Sequence, residues 1–100
     1  MAISLTIRWA GGGKEDVPVA HQHTAEVVWL NAAKQLGLRQ YDGVFPMYFD
    51  ESNIADVIAD FEKLRDFQKD TDDFSYERLT RLVSYLKKLQ ESSDWSAYIG

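Results

Sequence analysis

Three short stretches bring together residue types that could do chemistry. Gly11-Gly12-Gly13-Lys14 follows an alternating apolar run, as a phosphate-binding loop would; His21 and His23 stand two apart with Glu26 close behind; Asp70, Asp72 and Asp73 look like the opening of a calcium loop. Each can be held against the spacing its chemistry needs. A P-loop requires an earlier glycine where this chain has Arg8, and a hydroxyl after the lysine where it has Glu15. It must also open a helix whose N-terminal amides hold the phosphate. Val17-Pro18-Val19 instead reads as extended, and Glu15 and Asp16 would repel a polyphosphate. The glycines therefore turn the chain.

In an extended segment His21 and His23 would project to one side and could bind a metal with Glu26 as third ligand. They are the only histidines and no thiolate accompanies them, so two polar side chains in a connection is the simpler reading, and no metal or cofactor is expected. In the calcium motif the third ligand would fall on Phe74, the required glycine on Ser75 and the final glutamate on Arg81. All three mismatch. No glycine-flanked serine elbow occurs, and paired carboxylates such as Asp56 and Asp60 read as solvated on the polar face of a helix. Catalysis thus has no motif behind it, and a small enzyme or metal-binding domain using His21, His23 and nearby carboxylates is the rival reading.

The elements that must position these residues follow from periodicity. Ile3, Leu5, Ile7 and Trp9 alternate with polar residues, as in a strand with one buried face, and Val17 and Val19 continue the alternation beyond the glycines. That predicts an N-terminal hairpin whose second strand, carrying Pro18, lies at a sheet edge. A helix is expected from a Thr24 cap to a Gly37 stop, with Val27, Val28, Leu30, Ala33 and Leu36 as its apolar positions. Gln40 to Phe49 is too broken by glycine and proline for a helix and reads as an aromatic-rich loop with an extended piece. Ile54, Val57, Ile58, Phe61, Leu64 and Phe67 define a second helix capped by Asp50 or Ser52; Tyr76, Leu79, Leu82, Val83, Leu86 and Leu89 define a third capped by Asp73 or Ser75. The short polar link between them predicts a helical hairpin. Trp95 to Ile99 is a closing strand, with the first strand as partner. The fold class is α+β: a small, mostly antiparallel sheet with three helices, the last two forming a helical hairpin.

The chain has 100 residues, 45% hydrophobic and 27% charged, enough for one core, so residues 1–100 read as one domain. Absence of cysteine excludes disulfides and thiolate zinc sites and fits a reducing cytoplasm. The N-terminal stretch has no basic leader before its apolar part, and no uncharged apolar run nears the roughly 20 residues that cross a bilayer, so neither a signal peptide nor a membrane span is expected.

The net charge of -5 is unevenly spread: Asp42 to Glu77 holds 11 acidic residues against three basic ones, while the rest has five acidic and eight basic. Such a field disfavours nucleic acid and anionic membranes and attracts a basic partner. Asp50, Glu51, Asp56 and Asp60 gather at the start of the second helix beside Tyr48 and Phe49, which could anchor a partner. These residues predict an acidic protein-binding module, monomeric or a homodimer through an open sheet edge. In size, acidity and strand-and-helix layout the chain resembles the small immunity proteins that bacteria make against toxic enzymes, and more distantly the barstar type of nuclease inhibitor. That likeness lies in architecture and charge, so it transfers no functional residue.

Overall fold

The computed structural model describes residues 2–21, 23–38, 40–41 and 46–100. Strand β1 (Ala2–Trp9) turns back into β2 (Lys14–His21). The reversal is closed by Trp9 N–H donating to the Gly13 carbonyl and Gly12 N–H donating to that of Trp9. Gly12 has φ 101°, a conformation that a side chain would strain, so the glycine run serves the turn. A π-helical turn, Thr24–Val28, leads into α1 (Trp29–Leu36); β3 (Met47–Asp50), α2 (Ile54–Gln68), α3 (Asp73–Gln90) and β4 (Trp95–Ile99) follow.

The strands form one antiparallel sheet in the order β2-β1-β4-β3, so the last strand of the chain lies inside it, between the first and the third. As the sequence predicts, β4 pairs with β1 and the Pro18 strand is an edge. An extra residue on β2 bulges the hairpin between Ile3 and Ser4. The expected extended piece before the second helix is a full member of the sheet, β3.

One face of the sheet meets the helices. Ile3, Leu5, Ile7, Met47, Phe49, Trp95, Ala97 and Ile99 are buried there against the stripes of α2 and α3, where Val57, Phe61, Leu64, Leu79, Leu82 and Leu86 are buried in turn. The helical hairpin is present, joined by residues 69–72.

Two details of the sequence reading need correction. The buried face of the π-turn and α1 is Ala25, Trp29, Ala32 and, as expected, Ala33, while Val27 and Leu36 are exposed, because the bulky Trp29 ring claims the core and small residues let the helix approach. The Gly37 stop is as expected, with φ 68° and Leu38 N–H donating back to the Ala33 carbonyl. Caps differ throughout: His23 occupies the cap position before the π-turn and Asn53 that of α2, neither bonding its own helix through its side chain. Asn53 instead accepts from Asp50 N–H. The cap of α3 is Asp72, whose carboxylate accepts from the N–H groups of Phe74 and Ser75 and from the Ser75 hydroxyl. Ser75, fully buried, in turn accepts from Trp29 Nε1 at 3.0 Å, so the indole of α1 is tied to the start of α3 through a satisfied polar chain.

Leu82 and Phe61 are 4% and 1% exposed at the centres of their stripes. Leu82→Ala is expected to cost about 2–5 kcal/mol through lost transfer energy and a residual cavity. Urea denaturation of the variant against wild type measures it.

Candidate functional site

Alternation along the strands sends every second side chain to the face the helices leave uncovered. Registered across the sheet, one row there is Asp16, Thr6, Tyr98 and Tyr48, and the next is Lys14, Arg8, Ser96 and Asp50. At the β2 side the surface is tied to itself, since the Thr6 hydroxyl donates to Asp16 at 2.6 Å. At the β3 side it is open. Tyr48 is 70% exposed, its ring 5.6 Å from that of Tyr98, and a groove of about 580 Å³ runs among Arg8, Tyr48, Asp50, Ser52, Ser96 and Tyr98.

The turn after β3 fixes the acidic side of this groove. Asp50 accepts from both the hydroxyl and the backbone N–H of Ser52, which hold its carboxyl below the ordinary carboxylate range, the hydroxyl bond contributing most. Asp50 is therefore charged at any physiological pH. Glu51 accepts from the Asp94 N–H, clamping the turn to the residue that enters β4 in a left-handed conformation. Asp56 is exposed in the first turn of α2, where the helix dipole favours a carboxylate. Among the described residues the ion pairs are Arg65 with Glu62 and Asp66, Arg81 with Glu77 and Lys87 with Glu62. None neutralises Asp50, Glu51 or Asp56.

Two members of the predicted surface lie elsewhere. Asp60 is not solvated beside Asp56: it is 8% exposed, and its Oδ2 accepts from Gln40 N–H at 2.6 Å and Tyr41 N–H at 3.4 Å. The carboxylate is thus a tether for the segment returning to the sheet. Phe49 is no surface anchor either. It is buried and meets Trp95 edge-on at 6.0 Å, because it alternates with Tyr48 on β3 and so points at the helices. In the aromatic loop, Tyr41 and Met47 are core; Tyr41 packs against Trp29 and Phe61 and its hydroxyl donates to the Ala25 carbonyl. Asp42, Val44 and Phe45 lie outside the described residues.

Arg8, Ser96 and Tyr98 were missed by sequence reasoning, although the polar positions of two alternating strands predicted to pair contain the signal. His21 and His23 are both exposed, at the end of β2 and before the π-turn, and the Glu26 side chain lies outside the described residues. Among the described residues no group of three or more His, Asp or Glu is arranged to hold a metal ion, and no helix is long and apolar enough to cross a membrane.

A second groove, between β2 and α3, is lined by Val17, Pro18, Val19, Arg78, Arg81 and Tyr85. Its polar groups are already engaged: Arg81 with Glu77 at 2.6 Å, Arg78 over the Phe74 ring and the Tyr85 hydroxyl with Glu15 at 2.6 Å. It reads as a packed seam between sheet and helix.

Comparison with known protein families, with curated proteins and with solved structures finds no match.

Two expectations follow. Asp60→Ala removes the acceptor of two backbone N–H bonds and is expected to cost about 1–3 kcal/mol, whereas Asp56→Ala stays within about 0.5 kcal/mol of wild type; chemical denaturation of both separates tether from surface. The bond to Glu15 pushes the Tyr85 hydroxyl up to about 12 from its ordinary 10.0. A raised pKa favours the protonated, folded form, so this contribution is complete below about pH 10 and lost as pH rises through about 12. Ultraviolet titration should show a late-ionising tyrosine that disappears in Tyr85→Phe.

Proposed function

We infer that the protein is a binding module that covers a basic surface of another protein with the β3 corner of its uncovered sheet face. The observation that carries this reading is the combination of a largely exposed tyrosine, Tyr48, with three exposed carboxylates, those of Asp50, Glu51 and Asp56, that no basic side chain among the described residues neutralises. A protein surface with nothing to bind gains little from leaving like charges together, since each repels its neighbours. Against a basic surface the same charges steer encounter and select the partner. Tyr48, packed at a tilt against Tyr98, offers apolar area that loses little side-chain freedom on binding and so suits an anchor. A role that masks a partner, in the manner of an inhibitor or immunity protein, fits such a surface.

The test is affinity capture from the source lysate with immobilised protein, followed by mass spectrometry. A basic protein should be retained at low salt and released as salt shortens the Debye length, about 8 Å at physiological ionic strength. The Asp50→Asn/Asp56→Lys double variant keeps the Ser52 turn and an unchanged melting temperature, yet should associate at least about tenfold more slowly with the captured protein. Tyr48→Ala should chiefly speed dissociation. Equal capture and equal rates for all three proteins would remove this corner from consideration.

A further inference from the structure

The hydrogen-bond parity of the sheet shows which backbone groups face outward at each edge. Ser4 and Gly100 exchange both N–H to carbonyl bonds, and Ala10 N–H donates to the Asp94 carbonyl, so the even-numbered residues of β1 bond β4. The odd-numbered residues bond β2, as Trp9 N–H to the Gly13 carbonyl shows. On β4, Tyr98 and Ser96 therefore bond β1, while Ile99 and Ala97 bond their β3 partners Met47 and Phe49. Asp50 N–H agrees with this parity, since it turns away from β4 to Asn53. Tyr48 is left with its N–H and carbonyl directed out of the sheet, and no described residue bonds either one.

The same parity explains the other edge. Pro18 is opposite Ser4 and occupies an outward position of β2, where an N–H would face solvent, so the proline removes a donor that could pair with another chain. No proline lies within β3, Met47–Asp50.

We propose that β3 accepts an extended, lysine- or arginine-containing segment of the partner as a fifth, edge strand, bonded through the Tyr48 N–H and carbonyl. The inference rests on the binding role argued above and adds its mode and the conformation of the partner segment. An added strand lies about 4.8 Å from β3 and alternates its side chains between the two faces. Those on the uncovered face run beside the Tyr48 ring and the Asp50 carboxylate, so basic side chains there meet an exposed negative charge. Charge also decides against a second copy of this chain, because pairing two β3 edges brings together two proteins that each carry a net charge of -5 and a turn bearing Asp50 and Glu51.

The probe is an alternating Lys-Val peptide of about seven residues, compared with the same peptide N-methylated on alternate backbone nitrogens so that one edge cannot pair, both added to ¹⁵N-labelled wild-type protein at low salt. The expected result is saturable binding of the unmodified peptide that shifts the Tyr48 amide and slows its hydrogen exchange by at least about tenfold, with binding lost on N-methylation. Equal binding of both peptides, with Tyr48 exchange unchanged, overturns strand addition and leaves a side-chain docking surface. Binding of neither peptide overturns strand addition together with the basic-partner reading. Tyr48 protection that rises with protein concentration in the absence of peptide overturns it in favour of edge pairing between copies.

Discussion

The rest of the structure depends on the register between the first strand and the last. Leu5 opposite Ile99 and Ile7 opposite Ala97 join the two ends of the chain, and β3 enters the sheet on the far side of β4. A slip of one residue would turn Trp95, Ala97 and Ile99 from the helices to water and Ser96 and Tyr98 into the core. It would also exchange the inward and outward backbone groups of β3. The buried face, the uncovered face and the free edge are therefore set together, by a contact between residues almost the full chain length apart.

Around that sheet, buried polar groups fix positions that packing alone leaves loose. The apolar stripes bring α2 and α3 together, but stripes tolerate sliding and rotation. Directional bonds remove that freedom: Trp29 to Ser75 to Asp72 ties α1 to the start of α3, and Asp60 holds the segment that leaves α1. Tyr41 combines both effects, its ring wedged between Trp29 and Phe61 and its hydroxyl on the Ala25 carbonyl. Each buried polar group in this set has its partner, which is why the arrangement does not bear the desolvation cost of unpaired ones.

How much of this is legible in the sequence depends on how local each cause is. Hairpin, helical hairpin and closing strand are written in short-range periodicity and in Gly12, Gly37 and Pro18, and all three are present. β3 is obscured because four residues, MYFD, give only two turns of alternation within a stretch broken by Gly43 and Pro46. The buried face of the first helical segment is misread because Ala25 and Ala32 carry little hydrophobic signal beside Val27 and Leu30, and their value lies in the close approach Trp29 requires. Asp60 escapes for a different reason. It sits at helical spacing from Asp56, and only the tertiary approach of Gln40 and Tyr41 gives its carboxylate donors. The same limit applies to the site: Tyr48 and Asp50 are visible as residue types, but their separation from Phe49 and Asp60 needs the direction of each side chain.

Acidic residues at an unprotected edge have an effect that their number alone does not reveal. Natural sheets guard open edges because unpaired backbone groups recruit other strands without regard to sequence. Proline guards by deleting the donor and does so against every strand, as Pro18 does on β2. A carboxylate guards selectively: Asp50 and Glu51 repel strands that carry negative charge, copies of this chain included, and attract strands that carry positive charge. Selectivity of this kind requires that the charge persist and that no internal cation cancel it. The first condition is met by an exposed carboxylate whose ordinary range already lies below neutral pH and which the Ser52 bonds lower further, and the second because Arg8, on the same face two strands away, forms no ion pair with Asp50. In the proposed mode the edge is closed to its own kind and left open to a basic strand.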